Sequence, residues 1–387
     1  VFNIKMLNSI SEKGLDLFSK DQYSVSNEVT NPDAILVRSA NMLEMDFDKN
    51  IKAIARAGAG VNNIPIDRCT EKGIVVFNTP GANANGVKEL VLASLFLSSR
   101  RIYQGINWAQ SLKGKGDEVP KLVEKGKSQF EGPEIKGKRL GIIGLGAIGV
   151  MVANDAVSLG MEVMGYDPYI SVNAAWGLSR SVMRAASLEQ LISTSDYITL
   201  HLPLTPETKG TINEEKISMM KKDVRIINLA RGGLVDSKSL LAALEDGTVS
   251  CYVTDFPDEE MLCNDKIITV PHLGASTPES EENCAVMAVN QLRDYLEQGI
   301  IKNSVNFPDC DLPRIGNTRI LNAHSNVPNM VGQITSLLAK YKINIADMLT
   351  RHKNNIGYNI IDIEGTVTDE IINEIRSIEG VKMVRVI

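Results

Sequence analysis

The 387-residue chain is predicted to be an α/β protein of three parts: a doubly wound parallel-sheet domain, a smaller α/β domain assembled from two separate segments, and a C-terminal α+β module. Three observations predict this. A glycine-rich turn near the middle stands between an apolar run and a helical pattern, and short β-like runs alternate with helical ones on both sides of it. Beyond a stretch carrying Pro308 and Pro313, the order reads strand, helix, strand, strand, helix, strand.

The first segment, residues 1–93, contains β-like runs at Asn3–Leu7, Ala34–Arg38, Lys52–Ala57 and Ile74–Asn78, separated by helical patterns. A long helical pattern covers Gly86–Ser111, and the charged stretch Lys113–Lys138 reads as connector and surface. The middle domain, residues 94–277, carries strand candidates at Arg139–Ile143, Glu162–Tyr166, Asp196–His201, Val224–Leu229, Val249–Asp255 and Lys266–Val270. Residues 278–310 begin with a helical pattern at Pro278–Glu297 and return the chain to the first domain. Residues 315–387 form the last module, a split βαβ arrangement of the ferredoxin-like sort.

The middle domain announces its ligand. Gly144, Gly146 and Gly149 give G-x-G-x-x-G after one strand and before a helix. The first glycine permits the turn, the second admits a pyrophosphate to the backbone, and the third lets helix and strand pack closely. The helix N-terminus offers free N–H groups to the phosphates. Asp167 ends the next strand, where a carboxylate accepts hydrogen bonds from an adenosine ribose and would repel a 2′-phosphate, so NAD is the expected cofactor. The domain is therefore Rossmann-type.

Composition is that of an ordinary globular chain, 43% hydrophobic and 23% charged. The net charge of −6 argues against nucleic acid as a partner. No apolar run is long enough for a bilayer, and the N-terminus lacks a signal-peptide pattern, so a soluble cytoplasmic protein without a membrane partner is expected. Cys69, Cys251, Cys263, Cys284 and Cys310 are odd in number and lack a CxxC, which indicates neither a disulfide framework nor a metal site.

Chemistry beside a nicotinamide needs a group to hold the substrate and a group to move a proton. Three strand-end loops supply such residue types: Asn228–Gly233, Asp255–Glu260 and Pro271–Ser276. Arg231 offers a guanidinium fork for an α-carboxylate, and His272 an imidazole, the side-chain type suited to moving a proton. Glu259 and Glu260 are adjacent, and only one can face the histidine.

These loops resemble the D-2-hydroxyacid dehydrogenases. The likeness rests on HLPLTPET (His201–Thr208), NLARGGLVD (Asn228–Asp236) and VPHLGAST (Val270–Thr277) beside the glycine fingerprint, and it covers nearly the whole chain. LVRSA (Leu36–Ala40), ARAGAGVNNI (Ala55–Ile64), NTPGANANGVKEL (Asn78–Leu90) and the last module are most like the members that oxidise 3-phosphoglycerate and carry a C-terminal ACT domain. The resemblance implies a flavodoxin-like substrate domain, an NAD-dependent oxidation of 3-phospho-D-glycerate at the head of serine biosynthesis, and a homodimer or homotetramer.

It also implies residue roles. Arg231, Glu260 and His272 would be catalytic, with Glu260 chosen because the family acid stands five positions after the strand-end Asp255. The family has proline next, where this chain has Met261. Cofactor contacts would come from Gly144, Gly146, Ala147, Ile148, Gly149, Asp167, Leu229, Ala230 and Asp255, the last receiving the nicotinamide carboxamide. Substrate contacts would come from Arg38, Arg56, Gly58, Ala59, Gly60 and Asn83, the arginines meeting the phosphate and the N–H groups of residues 58–60 the carboxylate. His201 would shape its loop. His324, Asn326 and Asn344 would hold an L-serine effector between paired ACT modules, although Asn329 replaces the usual glycine of that loop. Two further readings of the resemblance are a lactate, glycerate or glyoxylate dehydrogenase and an NAD(H)-sensing regulator. A formate dehydrogenase relative would have glutamine in place of Glu260.

Overall fold

Apolar runs become three sheets in the structure, a computed structural model that describes residues 1–262 and 264–387. In the first sheet β1 (Phe2–Met6), β2 (Tyr23–Ser26), β3 (Ala34–Val37), β4 (Ala53–Arg56) and β5 (Val75–Phe77) pair in parallel, in the order β2-β1-β3-β4-β5. Every residue of β3 and β5 is buried, as expected of parallel strands covered on both faces. The edge strand β2 was not expected. Of its four residues only Tyr23 is buried, so its sequence carries little apolar signal.

The second sheet contains β6 (Arg139–Ile143), β7 (Glu162–Tyr166), β8 (Met183–Arg184), β9 (Tyr197–Leu200), β10 (Val224–Asn228), β11 (Val249–Thr254) and β12 (Ile267–Thr269). Its order is β12-β11-β10-β9-β6-β7-β8, and the pairs are parallel. The chain reverses direction across the sheet between β6 and β9, which makes the carboxyl ends of those strands the place for a ligand.

The third sheet is antiparallel. It orders β13 (Thr318–Ser325), β14 (Asn344–Lys353), β15 (Ile356–Glu364) and β16 (Val381–Val386) as β14-β15-β13-β16. Ile320, Ile361 and Ile363 pack against Ile334, Leu338 and Ile375 of the helices Met330–Lys340 and Asp369–Ser377. Leu321, Ala323, Tyr358 and Ile360 belong instead to the apolar cluster that contains Phe77, Leu292, Tyr295 and Phe307. The last module therefore shares a core with the first domain.

Two compact units result, residues 1–83 with 278–387, and residues 84–277. The division falls at Asn83/Ala84, not at the expected 93/94. The physical reason is the helix Ala84–Arg100, whose Val87, Val91 and Leu95 are buried with Leu140, Ile142, Val152 and Ala156 of the second unit. A helix buried along its length cannot be shared at its middle. The expected continuous helix to Ser111 is broken at Arg101, which adopts a left-handed φ of 45° before the helix Ile102–Ser111 begins. The stretch expected as connector contains short helical turns, Gly116–Glu118, Val119–Gly126 and Lys127–Phe130, in which no residue is buried.

Within the first unit, the helix Pro278–Gln298 is held at its carboxyl end by side chains of the last module. Arg319 donates to the Gln298 carbonyl at 2.9 Å, Tyr358 to that of Gly299 at 2.8 Å, and Arg385 to that of Leu296 at 2.8 Å. These are carbonyls that a helix end leaves without intrahelical donors. Arg319 also forms a fully buried bidentate pair with Asp362, at 2.6 and 2.9 Å. Cys69, Cys251, Cys284 and Cys310 are buried, and desolvation pushes the Cys69 thiol up to about 11 and those of Cys251 and Cys310 up to about 12. Cys263 lies outside the described residues. No helix among the described residues is long and apolar enough to cross a membrane.

Candidate active site

The glycine turn follows β6 at the switch point. Gly144 has φ of 94°, and a side chain there would lie 2.6 Å from the His201 carbonyl that follows β9. A Cβ on Gly149 would collide with the Gly144 carbonyl, so both positions require glycine for close approach. Gly146 faces open space and is the N-cap of the helix Ala147–Ser158, with no side chain capping the first-turn N–H groups. Ala147 and Ile148 form that first turn. Asp167 accepts from the Leu145 N–H at 2.9 Å and from the Tyr169 N–H at 2.8 Å. Each carboxylate oxygen keeps a second lone pair for a ribose hydroxyl, and the Leu145 bond ties the acid to the glycine turn itself.

Along the same edge of the sheet, the loop after β10 is shaped by Asn228, a buried residue to which its motif alone assigned no role. Its Oδ1 accepts from the Ala230 and Arg231 N–H groups at 3.2 and 3.4 Å, and its Nδ2 donates to the Arg231 carbonyl at 2.9 Å. Leu229 is buried beneath this loop, whereas Arg231 is exposed and donates to the Ala230 carbonyl at 2.6 Å.

Asp255, at the end of β11, is only 2% exposed, and its Oδ1 has no hydrogen-bond partner among the described residues. Burial pushes its carboxyl up, while the charges of His272 and Arg231 and the Gly274 N–H pull it back. A buried carboxylate oxygen without a donor is costly, and a carboxamide N–H supplies what it lacks. His272 adopts a left-handed φ of 46°, rare for a residue with a side chain, and its N–H lies 3.2 Å from the Asp255 carbonyl. Its ring is exposed and lies 4.6 Å from that of Phe256. Arg231, Asp255 and His272 are thus brought together. Glu260 is exposed in the turn Glu259–Met261 and makes no hydrogen bond or ion pair with His272 among the described residues. The carboxylate that senses the imidazole here is that of Asp255. His201 is half-buried and hydrogen-bonded to Thr199 at 3.1 Å, and desolvation pushes its imidazole down to about 4.

In the first unit, Arg38 follows β3 and Arg56 ends β4, and Val37 and Arg56 are neighbours in register. Asn8, another residue not anticipated, accepts from the N–H groups of Arg38, Ser39 and Ala40, each at 3.0 Å. Arg56 donates to the Arg38 carbonyl at 2.8 Å and to that of Gly60, so its guanidinium ties the two strand-end loops together. The Gly58 N–H donates to the Arg56 carbonyl at 2.9 Å, and that bond takes one of the three N–H groups expected to meet a carboxylate. Ala59 is anchored through its carbonyl by Asn78 at 2.6 Å, and Asn83 is half-buried just before the unit boundary. Arg38 reaches Glu281 at 2.5 Å.

In the last module, His324 is 3% exposed, with Nδ1 2.7 Å from the Ser325 carbonyl oxygen and Nε2 without a partner among the described residues. It lines a cavity of about 210 Å³ with Asn326, Asn329, Arg351 and His352. Asn329 takes φ of 67°, the left-handed geometry that glycine would supply, so the loop keeps its shape. Asn344 is bound to Glu364 at 2.8 Å and sits opposite it in register, whereas His324 is opposite Gly357. The three residues do not converge within one chain.

Residues 92–277 match the family described as D-isomer specific 2-hydroxyacid dehydrogenase, NAD binding domain. Among curated proteins, the chain is 34% identical to the D-3-phosphoglycerate dehydrogenase of Methanocaldococcus jannaschii over 83% of its own length, and spans 60% of the length of that relative. It is 33% identical to that of Haemophilus influenzae, covering 85% of this chain and 79% of the relative. Among solved structures, the NAD⁺-bound 3-phosphoglycerate dehydrogenase of Entamoeba histolytica is similar with a TM-score of 0.60 and 27% identity, over 79% of this chain and 98% of that one. A D-lactate dehydrogenase of Aquifex aeolicus, complexed with NAD and lactic acid, has a TM-score of 0.60 and 26% identity, over 79% of this chain and 100% of that one. Likeness of fold therefore does not choose between their substrates.

Proposed function

The chain belongs to the D-isomer specific 2-hydroxyacid dehydrogenases, and we propose that it is an NAD-dependent D-3-phosphoglycerate dehydrogenase, oxidising 3-phospho-D-glycerate to 3-phosphohydroxypyruvate in the first step of phosphorylated L-serine synthesis. The observation that carries the reaction is the buried, unpartnered Oδ1 of Asp255 beside His272 and Arg231, at the strand ends next to the glycine turn. NAD, when bound, supplies the acceptor for the hydride that leaves the substrate carbon. The chain's own residues do the rest. Asp255 accepts from the carboxamide and orients the ring, while Asp167 and the N–H groups of the helix Ala147–Ser158 hold the ribose and the phosphates. Arg231 holds the substrate carboxylate through its guanidinium fork. His272 takes the hydroxyl proton as the carbon–oxygen bond becomes a carbonyl, and returns it in the reverse direction. Glu260 is the acid that the resemblance assigns to tuning that imidazole.

Substrate choice rests on Arg38 and Arg56 for the phosphate, and on relatives named for this activity. The chain spans little more than half the length of several of those relatives, and the reading concerns the part it shares with them. The Arg38–Glu281 pair favours a second reading, an unphosphorylated 2-hydroxy acid, because it commits one of the two arginines to a carboxylate. Following NADH formation with 3-phosphoglycerate, glycerate and lactate decides between them. Turnover confined to the unphosphorylated acids would select the second reading.

A further inference from the structure

Glu281 belongs to none of the matched motifs, yet it is the side chain that reaches the arginine assigned to the substrate phosphate. It lies in the first turn of the helix Pro278–Gln298, where negative charge is favourable to the helix itself. Its neighbour Glu282 has its own cation, Lys13 at 2.5 Å. Arg38 has no ion-pair partner but Glu281 among the described residues, at 2.5 Å, and both side chains are 44% exposed. Arg56 donates to the Arg38 carbonyl at 2.8 Å, so a second cation stands beside the pair.

We propose that Glu281 is a positioning and selectivity residue of this anion site, one that holds Arg38 when no anion is bound and weakens the hold of Arg38 on a phosphate. An exposed ion pair contributes little, so a bidentate phosphate displaces it readily. The displaced carboxylate remains beside the phosphate and repels it. Glutamine at this position keeps the shape and an acceptor for Arg38, loses the repulsion, and adds N–H donors. The inference rests on the reading that Arg38 meets the substrate phosphate, and the test separates the two.

The measurements are KM and kcat for 3-phosphoglycerate and for glycerate, with inorganic phosphate as competing probe, on wild type, Glu281→Gln, Glu281→Asp and Arg38→Ala, all checked for unchanged thermal midpoint. Glu281→Gln is expected to lower KM for 3-phosphoglycerate and the inhibition constant of phosphate by about 3- to 10-fold, the change appearing in KM rather than kcat, with glycerate shifted less than about twofold. Glu281→Asp, which keeps the charge, is expected to stay with wild type. If Arg38→Ala removes phosphate sensitivity but Glu281→Gln changes nothing, or raises KM for both substrates alike, the role of Glu281 is overturned while the substrate reading stands. If Arg38→Ala leaves phosphate sensitivity and substrate preference intact, the substrate reading falls and the role of Glu281 falls with it.

Discussion

The left-handed backbone of His272 holds an exposed imidazole beside a buried carboxylate, an arrangement that costs strain and desolvation and is accounted for by chemistry rather than packing. His272→Ala is accordingly expected to lower turnover by about 10²–10⁴-fold, while NADH affinity, followed by fluorescence, stays near that of wild type. Near-normal turnover would remove the histidine from the mechanism. A second residue-scale expectation concerns His201, whose imidazole is pushed down to about 4 by burial. The unfolded chain binds this proton near pH 6.5 and the folded chain does not until about pH 4, so the stabilisation is complete above 6.5 and is lost as pH falls through that window. At 1.36 kcal/mol per unit the loss reaches about 3 kcal/mol. Urea midpoints at pH 7 and pH 4.5 should therefore differ less in His201→Gln than in wild type, and equal differences would show that the proton binds elsewhere.

Among the elements, the helix Pro278–Gln298 is tied at both ends to polar side chains, Arg38 at its first turn and Arg319, Tyr358 and Arg385 at its last. The Arg319–Asp362 pair within this arrangement is fully buried, so removing one partner leaves an uncompensated charge. Arg319→Leu is expected to destabilise the first unit by about 3–5 kcal/mol, whereas replacing both partners with apolar residues of similar size should recover much of the loss. Denaturant titration of the single and double variants measures it. A single variant within about 1 kcal/mol of wild type would mean that water reaches the pair.

For the whole molecule, the last module shares its core with the first domain, yet its His324 and Asn344 lie far apart. Along β15, seven residues separate the partners of His324 and Asn344, Gly357 and Glu364, which is about 23 Å at strand rise. One chain cannot close such residues on a single amino acid. The resemblance to ACT modules places an L-serine effector between two copies, and on that reading L-serine is expected to bind and inhibit, with Asn344→Ala losing the calorimetric signal. An unchanged heat of binding in Asn344→Ala would place the effector elsewhere, and no heat with millimolar serine would leave the module as an assembly device.

Sequence by itself determined the elements whose signal is local. The apolar runs of β3, β6 and β10, the glycine turn with its following helix, and the residue types at the strand ends are all legible because burial and turn geometry restrict what can stand there. Edge strand β2, the break at Arg101 and the boundary at Asn83 were not legible, since each depends on what packs against the segment rather than on its composition. The same holds within the site. Asp167 and His272 stand in motifs, but Asn8 and Glu281 act through partners 30 and 243 positions away, and their own neighbours in sequence gave no signal. Only the tertiary structure could decide that Arg38 meets a carboxylate and that Asp255 is left with a buried oxygen lacking a donor, because electrostatic and hydrogen-bond satisfaction are properties of neighbours in space.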